Sequence, residues 1–335
     1  MKAILTRNDG SLDWADVSDP ILLPGEVLVK VHYAALNRAD LMQRAGDYPP
    51  PEGCPEWMGL EVSGTIEEMT DQVRENSRWS VGDRVCALLG GGGYAQKVAV
   101  RHDMLMPVPS GCTMAEAAAM PEAFATTYLN LFLEGGAKKG DTLLVTAGAS
   151  GLASVMIPMA KAFGLKVITT VRKPEQAKAI AGLGADRIVV TTGDELSRVM
   201  KEELDSGHGV DIAIDCLGGN FIAKNLQYME RGGRWIIIAA LAGDVVDINL
   251  KTMYKRSLRI IGNTLRSRSP EVKADILSRI VRDVWPKVES NEVRPTVFKV
   301  LPVSKAEEAH AILMRGENVG KVVLDVIENG GASEK

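Results

Sequence analysis

The sequence predicts an α/β protein in which a doubly wound parallel sheet is inserted between two chain ends that together build a second, mainly-β domain. Three observations carry this. Residues 1–101 show short alternating apolar runs broken by Gly, Pro and Asp; residues 121–265 alternate helix-like with strand-like stretches; and residues 266–335 return to a mixed pattern. At 335 residues the chain is long enough for two cores. The expected division is therefore 1–120 with 266–335 as one domain and 121–265 as the other.

Taking the elements in order, Pro24-Gly25 opens a strand over 26–33, in which Val27, Val29 and Val31 alternate with Leu28, Lys30 and His32. Further strands are expected over 62–67, 83–88 and 94–100, so this part reads as all-β, interrupted by residues 37–51 and by the glycine loop 90–93. Thr113 with Glu116 forms a capping box for one helix, and Pro121 restarts a second that runs to Glu134 before Gly135-Gly136. The inserted domain then alternates strand and helix up to a closing strand at 258–262. Beyond it come a helix from Pro270 to Val284, a helix from Ser304 whose Glu307 completes another capping box, and a last strand at 321–326. The polar tail, 328–335, is expected to fray.

The chemistry concentrates in residues 142–173. An apolar run (Leu143, Leu144, Val145) leads through small residues 147–151 into apolar positions at helical spacing, followed by a β-rich run at 167–171, which is the pattern of a β-α-β unit. Against the G-x-G-x-x-G/A fingerprint the three positions are Gly148, Ser150 and Ala153, with Gly151 and Leu152 between them. Small residues let the backbone approach a pyrophosphate, and free N–H groups at a helix start favour an anion. The alternating segments that follow make this turn a dinucleotide site of Rossmann type. The second strand ends in Arg172 and Lys173 rather than in an acid, which points to the 2′-phosphate of NADP(H) rather than the ribose of NAD. Pro158, about two turns into the helix, removes a bond to the Ser154 carbonyl at a cost of ~3 kcal/mol and predicts a kink that leaves the first turn intact.

Composition excludes several alternatives. The net charge of -4 comes with interleaved lysines, arginines and acids, so nucleic acid is not an expected partner. No apolar run approaches the ~18 residues of a membrane span, and residues 1–7 carry no leader pattern, so a cytoplasmic protein with no membrane partner is expected. Four dispersed cysteines and four dispersed histidines indicate neither a disulfide framework nor a metal site.

The segments ALNRADLMQR (35–44), GLEVSG (59–64), GGGYAQ (91–96), AAAMPEA (117–123), AGASGLA (147–153), DCLGG (215–219), NTLRSR (263–268) and NVGKVVL (318–324) together resemble the zinc-independent, zeta-crystallin-like quinone oxidoreductases of the medium-chain dehydrogenase/reductase superfamily. The branch most resembled contains the tumour-suppressor-inducible quinone oxidoreductase. The resemblance implies a GroES-like catalytic domain built from both chain ends, an inserted Rossmann domain holding NADP(H), and a homodimer. Zinc-dependent relatives carry a Cys where this chain has Asn37 and a His-Glu pair where it has Leu60-Glu61. Zinc needs three or four N, S or O ligands, so metal-free chemistry follows. The resemblance places Thr127 and Leu265 near the nicotinamide, with Asn318 closing over it. It aligns Gln176 and Thr192 with the Lys and Tyr that hold the 2′-phosphate in several members. Leu217-Gly218 and Ala239-Ala240 end later strands and are expected at the strand carboxyl ends.

A quinone accepts hydride readily because reduction makes its ring aromatic, so a site lacking a metal or an acid-base relay suits it. Asn37 and Tyr48 are then the expected donors to the developing oxyanion, the proton coming from solvent. Read on residue type alone, Asn37 is a turn or cap residue and Tyr48 a core aromatic. Arg266 and Arg268 read either as ligands of cofactor or substrate or as solvated arginines. Two other functions fit the pattern: NADPH-dependent reduction of an α,β-unsaturated carbonyl, as an enone or enoyl thioester, and non-catalytic NADP binding.

Overall fold

The computed structural model describes residues 1–327, so the tail 328–335 lies outside the described residues. The chain divides into two compact units. One comprises Met1–Ala125, Arg266–Asn291 and the residues from Pro295 on; the other comprises Thr126–Leu265 with Glu292–Arg294.

The first unit contains β1 (Lys2–Thr6), β2 (Leu12–Asp16), β3 (Glu26–Ala35), β4 (Glu61–Met69), β5 (Arg84–Leu88), β6 (Lys97–Arg101) and β7 (Leu105–Pro107). The second contributes β8 (Thr142–Val145), β9 (Lys166–Val171), β10 (Arg187–Val190), β11 (Val210–Asp215), β12 (Met229–Ile237) and β13 (Arg259–Gly262). The chain then returns to the first unit with β14 (Val297–Pro302) and β15 (Lys321–Asp325).

In the first unit the strand order is β14-β15-β3-β4-β5-β7, with β6 also paired to β3. The antiparallel register Val323↔Ala35 and Leu324↔Ala34 lays the last strand beside β3, which is how the two chain ends make one sheet. This unit is not all-β. Helices α1 (Arg38–Ala45) and α2 (Asp71–Asn76) interrupt it. Asn37 stands at the N-cap of α1, the Asp40 carboxylate accepts its backbone N–H at 2.7 Å, and Gly46 ends the helix at φ 86°.

The Thr113–Glu116 box forms as expected, Thr113 Oγ1 accepting Glu116 N–H and Glu116 accepting Thr113 N–H, and starts α3 (Met114–Ala118). The segment expected as one helix to Glu134 is instead α4 (Pro121–Tyr128) followed by a π-helical stretch, Leu129–Glu134. The second expected capping box does not form. The helix there begins at Ala306, and Glu307 accepts Leu12 N–H and Arg44 Nη2, each at 2.7 Å, because a long carboxylate beside a guanidinium gains more from that partner than from its own helix end.

The second unit holds a six-stranded sheet in the order β10-β9-β8-β11-β12-β13, every pair parallel. That is the doubly wound Rossmann order, reversing direction between β8 and β11. Alternate residues feed two cores, as a sheet buried on both faces requires. Leu143, Val145, Ile212, Ile214 and Ile236 pack with Met156, Ile157 and Ala160 of α5 (Ala153–Ala162), whereas Leu144, Ala213 and Trp235 pack with Leu196, Val199 and Met200. Helix α5 extends on both sides of Pro158, and at its start Ser154 N–H donates to Ser150 O at 3.0 Å.

Candidate active site

In the second unit the turn after β8 has the features of an anion cradle. Ala147 adopts the left-handed conformation at φ 54°, a position where an L side chain is strained, and its N–H donates to Thr170 Oγ1 at 3.3 Å. Gly148 donates to Thr170 O at 2.7 Å. A Cβ on Gly148 would stand 2.4 Å from Thr169 Oγ1, so only glycine lets the turn pack this close to β9. Ser150 does the work of a cap: its Oγ accepts Ala153 N–H at 3.1 Å, and Ser154 Oγ in turn donates to the Gly151 carbonyl at 2.9 Å. Among the described residues the amides of Ala149, Gly151 and Leu152 find no acceptor. Three free N–H groups at the start of α5 are what a pyrophosphate requires.

The neighbouring strand ends are tied to this turn through Asp215, which is fully buried. Thr146 Oγ1 and Leu217 N–H donate to its Oδ1 at 3.1 and 2.8 Å, and Trp235 Nε1 and Gly218 N–H to its Oδ2 at 3.1 and 3.2 Å. Burial pushes this carboxyl upward, opposed by those four donors. Ala242 donates to Leu217 O at 2.7 Å and Leu241 to Cys216 O at 3.1 Å, so Leu217-Gly218 and the segment after Ala239-Ala240 meet at the carboxyl ends of β11 and β12. Gly218, at φ 68°, lies so near Ala240 that a Cβ would fall 3.1 Å from its Cα. Thr127 is wholly buried and its Oγ1 has no hydrogen-bond partner; Leu265 is also buried. An orphaned hydroxyl inside this unit is unusual unless something else satisfies it.

At the end of β9 both Arg172 and Lys173 are exposed, and neither side chain is in an ion pair among the described residues. The Gln176 side chain accepts Arg172 N–H at 3.1 Å, and Thr192 Oγ1 donates to Glu195 at 2.9 Å. The two aligned clamp positions are thus engaged with their own surroundings, which leaves the two cations as the local charge for an anion.

In the first unit the sheet register gathers a second cluster. Continuing the β15–β3 pairing beyond Val323↔Ala35 sets Lys321 opposite Asn37, and β4 starts at Glu61 beside them. Lys321 Nζ donates to Glu61 Oε1 at 2.5 Å and to Asn37 Oδ1 at 2.7 Å; Asn37 Nδ2 donates to the same Glu61 oxygen at 2.9 Å. Glu61 Oε2 accepts Glu122 N–H in the first turn of α4 at 2.9 Å. Asp40, fully buried, accepts from Gly59 N–H at 3.1 Å and from Tyr94 Oη at 3.0 Å as well as from Asn37, yet burial still pushes it up to about 6. Asn37 is therefore both cap residue and member of a charged network.

Arg266 is not solvated. Its buried guanidinium donates to Gly90 O, to Gln43 Oε1 and to Tyr48 O at 2.6, 2.8 and 3.1 Å, and its Cζ lies 4.9 Å from the Tyr48 ring centroid. It holds the Tyr48 loop against the glycine loop. Asn318 Nδ2 donates to Gly320 O at 2.7 Å, in the turn that starts β15. Asp40, Lys321 and Asp215 were not singled out from the sequence. The signal was a charge bordering an apolar run, as Lys321 opening KVVL and Asp215 closing IAID.

A family profile described as alcohol dehydrogenase GroES-like domain matches residues 23–110, and one described as zinc-binding dehydrogenase matches residues 151–282. Between them they take in most of both units. The chain belongs to the medium-chain dehydrogenase/reductase superfamily. It is similar to mouse quinone oxidoreductase, 27% identical over 313 residues that cover 92% of each chain. It is also similar to a segment of a highly reducing polyketide synthase from Cordyceps militaris, 27% identical over 95% of this chain and 12% of that one. Among solved structures, the quinone oxidoreductase of Thermus thermophilus, described also in complex with NADPH, superposes with a TM-score of 0.80 at 29% identity, covering 97% of this chain and all of that one. One superfamily profile carries zinc in its description, but among the described residues no three His, Cys, Asp or Glu side chains are grouped to hold a metal ion.

Proposed function

We propose that this chain is an NADPH-dependent reductase that passes hydride from NADPH to a quinone without a metal. The observation that carries the cofactor assignment is the turn itself: the unused amides of Ala149, Gly151 and Leu152 beside two unpaired cations, Arg172 and Lys173, with no acid at the end of β9. Gly148, Ser150 and Ala153 shape the cradle, and the orphaned Thr127 hydroxyl is available to the nicotinamide end. The bound cofactor supplies the hydride; the chain's residues bind, orient and exclude water. Asn37 and Tyr48 are assigned to the substrate oxygen, with Leu217, Gly218, Ala239, Leu265 and Asn318 around the cofactor. Similarity to proteins named quinone oxidoreductase supports the acceptor.

The similarity to a highly reducing polyketide synthase favours a second reading, reduction of an α,β-unsaturated carbonyl with the same hydride geometry. NADPH oxidation followed with an ortho-quinone, a para-quinone, an enone and an enoyl-CoA, with NADH as control, decides between them. Quinone turnover with NADPH is expected; turnover of the enoyl-CoA alone would replace the first reading by the second, and cofactor binding without any turnover would make the chain a binding protein.

We further propose a homodimer. β13 is an edge strand, and the helix leading into it, Leu250–Arg256, exposes Leu250 and Tyr254 at 74% and 68% of their surface. Light scattering at twice the 36.1 kDa chain mass is the expected result, and a 36.1 kDa particle at micromolar concentration is the contrary one.

A further inference from the structure

We propose that Lys321 is a positioning residue for the reduction step: paired with Glu61, it locks the Asn37 amide in the one orientation that leaves an N–H for the substrate oxygen. This rests on the assignment of Asn37 to that oxygen.

An amide side chain has two nearly interchangeable ends, and its orientation is set by what each end meets. Here the oxygen faces an ammonium, which can only donate, and the nitrogen faces a carboxylate oxygen, which can only accept. Flipping the amide would set N–H against Nζ and carbonyl against carboxylate, losing both bonds. One Asn37 amide hydrogen is spent on Glu61, and the other has no acceptor among the described residues. Lys321 and Glu61 are buried to 3% and 0% exposure, so their attraction acts in a medium of low polarizability and is little screened by salt. Both are themselves fixed, Lys321 by the β15–β3 register and Glu61 by the α4 amide.

The resident cation of this cluster is an ammonium that belongs to the chain. Buried and bonded to Asn37 Oδ1, it acts through Asn37.

Lys321→Met alone strands a buried carboxylate and risks misfolding, so the test uses the charge-neutral pair Lys321→Met/Glu61→Gln alongside Asn37→Ala and the triple variant. The pair is expected to lower kcat for quinone at least tenfold while KM for NADPH stays within twofold, and to add less than twofold when placed on Asn37→Ala. Unchanged kcat, or a loss that multiplies with that of Asn37→Ala, would overturn the proposal, because a general packing defect is not absorbed by removing Asn37. Should the wild-type protein reduce none of the acceptors, the functional reading fails separately, and a crystal structure of the pair variant decides the inference. An Asn37 amide that leaves its orientation supports it, and one that stays refutes it.

Discussion

Thr146 Oγ1 donates to Asp215 Oδ1 over 3.1 Å, joining the carboxyl end of β8 to that of β11 at the point where the strand order reverses. The same hydroxyl accepts Cys216 N–H at 3.0 Å, so one threonine holds the next backbone step as well. A buried acid with four donors is a brace for the loops around it. Asp215→Ala leaves those donors unpaired and is expected to destabilise the protein by about 3 kcal/mol, with loss of NADPH affinity as Leu217 and Gly218 relax. Asp215→Asn keeps shape and part of the bonding and is expected to lose less in both. Thermal unfolding and NADPH fluorescence titration read the two effects, and an alanine variant with wild-type stability and affinity would refute the brace.

Tyr94 stands between two buried groups that titrate in opposition. Its hydroxyl donates to Asp40, and its ring meets His310 edge-on with centroids 6.0 Å apart. Burial raises Asp40 from 3.8 to about 6 and lowers His310 from 6.5 to about 4. Between those limits the folded state binds more protons than the unfolded one at Asp40, so that contribution to stability falls as pH rises from 3.8 to 6. At His310 the folded state binds fewer, so its contribution is present above 6.5 and is lost as pH falls toward 4. The two contributions thus oppose one another as pH changes. Asp40→Asn is therefore expected to make unfolding midpoints fall more steeply between pH 6.5 and 4, and His310→Phe to make them fall less steeply. Parallel pH profiles for all three proteins would contradict this.

At Ala147 the turn holds an L residue at φ 54°. The left-handed region costs a residue with a Cβ roughly 1–2 kcal/mol, part of which glycine returns as unfolded-chain entropy. Ala147→Gly is expected to stabilise the protein by about 0.5–1 kcal/mol without weakening NADPH binding, since the proposed cradle offers only backbone amides there. A lowered unfolding midpoint would show that the Cβ has a packing role that outweighs the strain.

The parts legible in the sequence were those written in periodicity. The alternation from 121 to 265 gave the parallel sheet, because a sheet buried on both faces leaves continuous apolar runs between helices. The Thr113–Glu116 box was legible because both partners are local. Glu307 looked identical and was misleading: its carboxylate is taken by Arg44, 263 residues away, a competition no local pattern contains. Helix α1 is marked at its ends by Asn37, Asp40 and Gly46, but within a pattern of short strands residues 37–51 read only as an interruption. The Lys321 clamp was hidden for a different reason. Its three members lie on β15, at the end of β3 and on β4, and only strand register brings them together.

Under the proposed function, Arg172 and Lys173 carry the choice between the two nicotinamide cofactors. Both are exposed and unpaired, while Gln176 and Thr192 are engaged with Arg172 N–H and Glu195. A 2′-phosphate near pH 7 carries close to two charges, and a guanidinium meets it with two parallel N–H bonds where an ammonium offers a point charge. Arg172→Ala is accordingly expected to cost more than Lys173→Ala, and the double variant to lower kcat/KM for NADPH about 100-fold. The NADH value should stay within twofold, because NADH presents a neutral ribose to the same two positions. Since both cations are solvent-exposed, raising salt should weaken NADPH binding in the wild type and much less in the double variant. Equal losses for the two cofactors would mean that these residues act on the pyrophosphate or on the fold, and the 2′-phosphate would have to be held elsewhere.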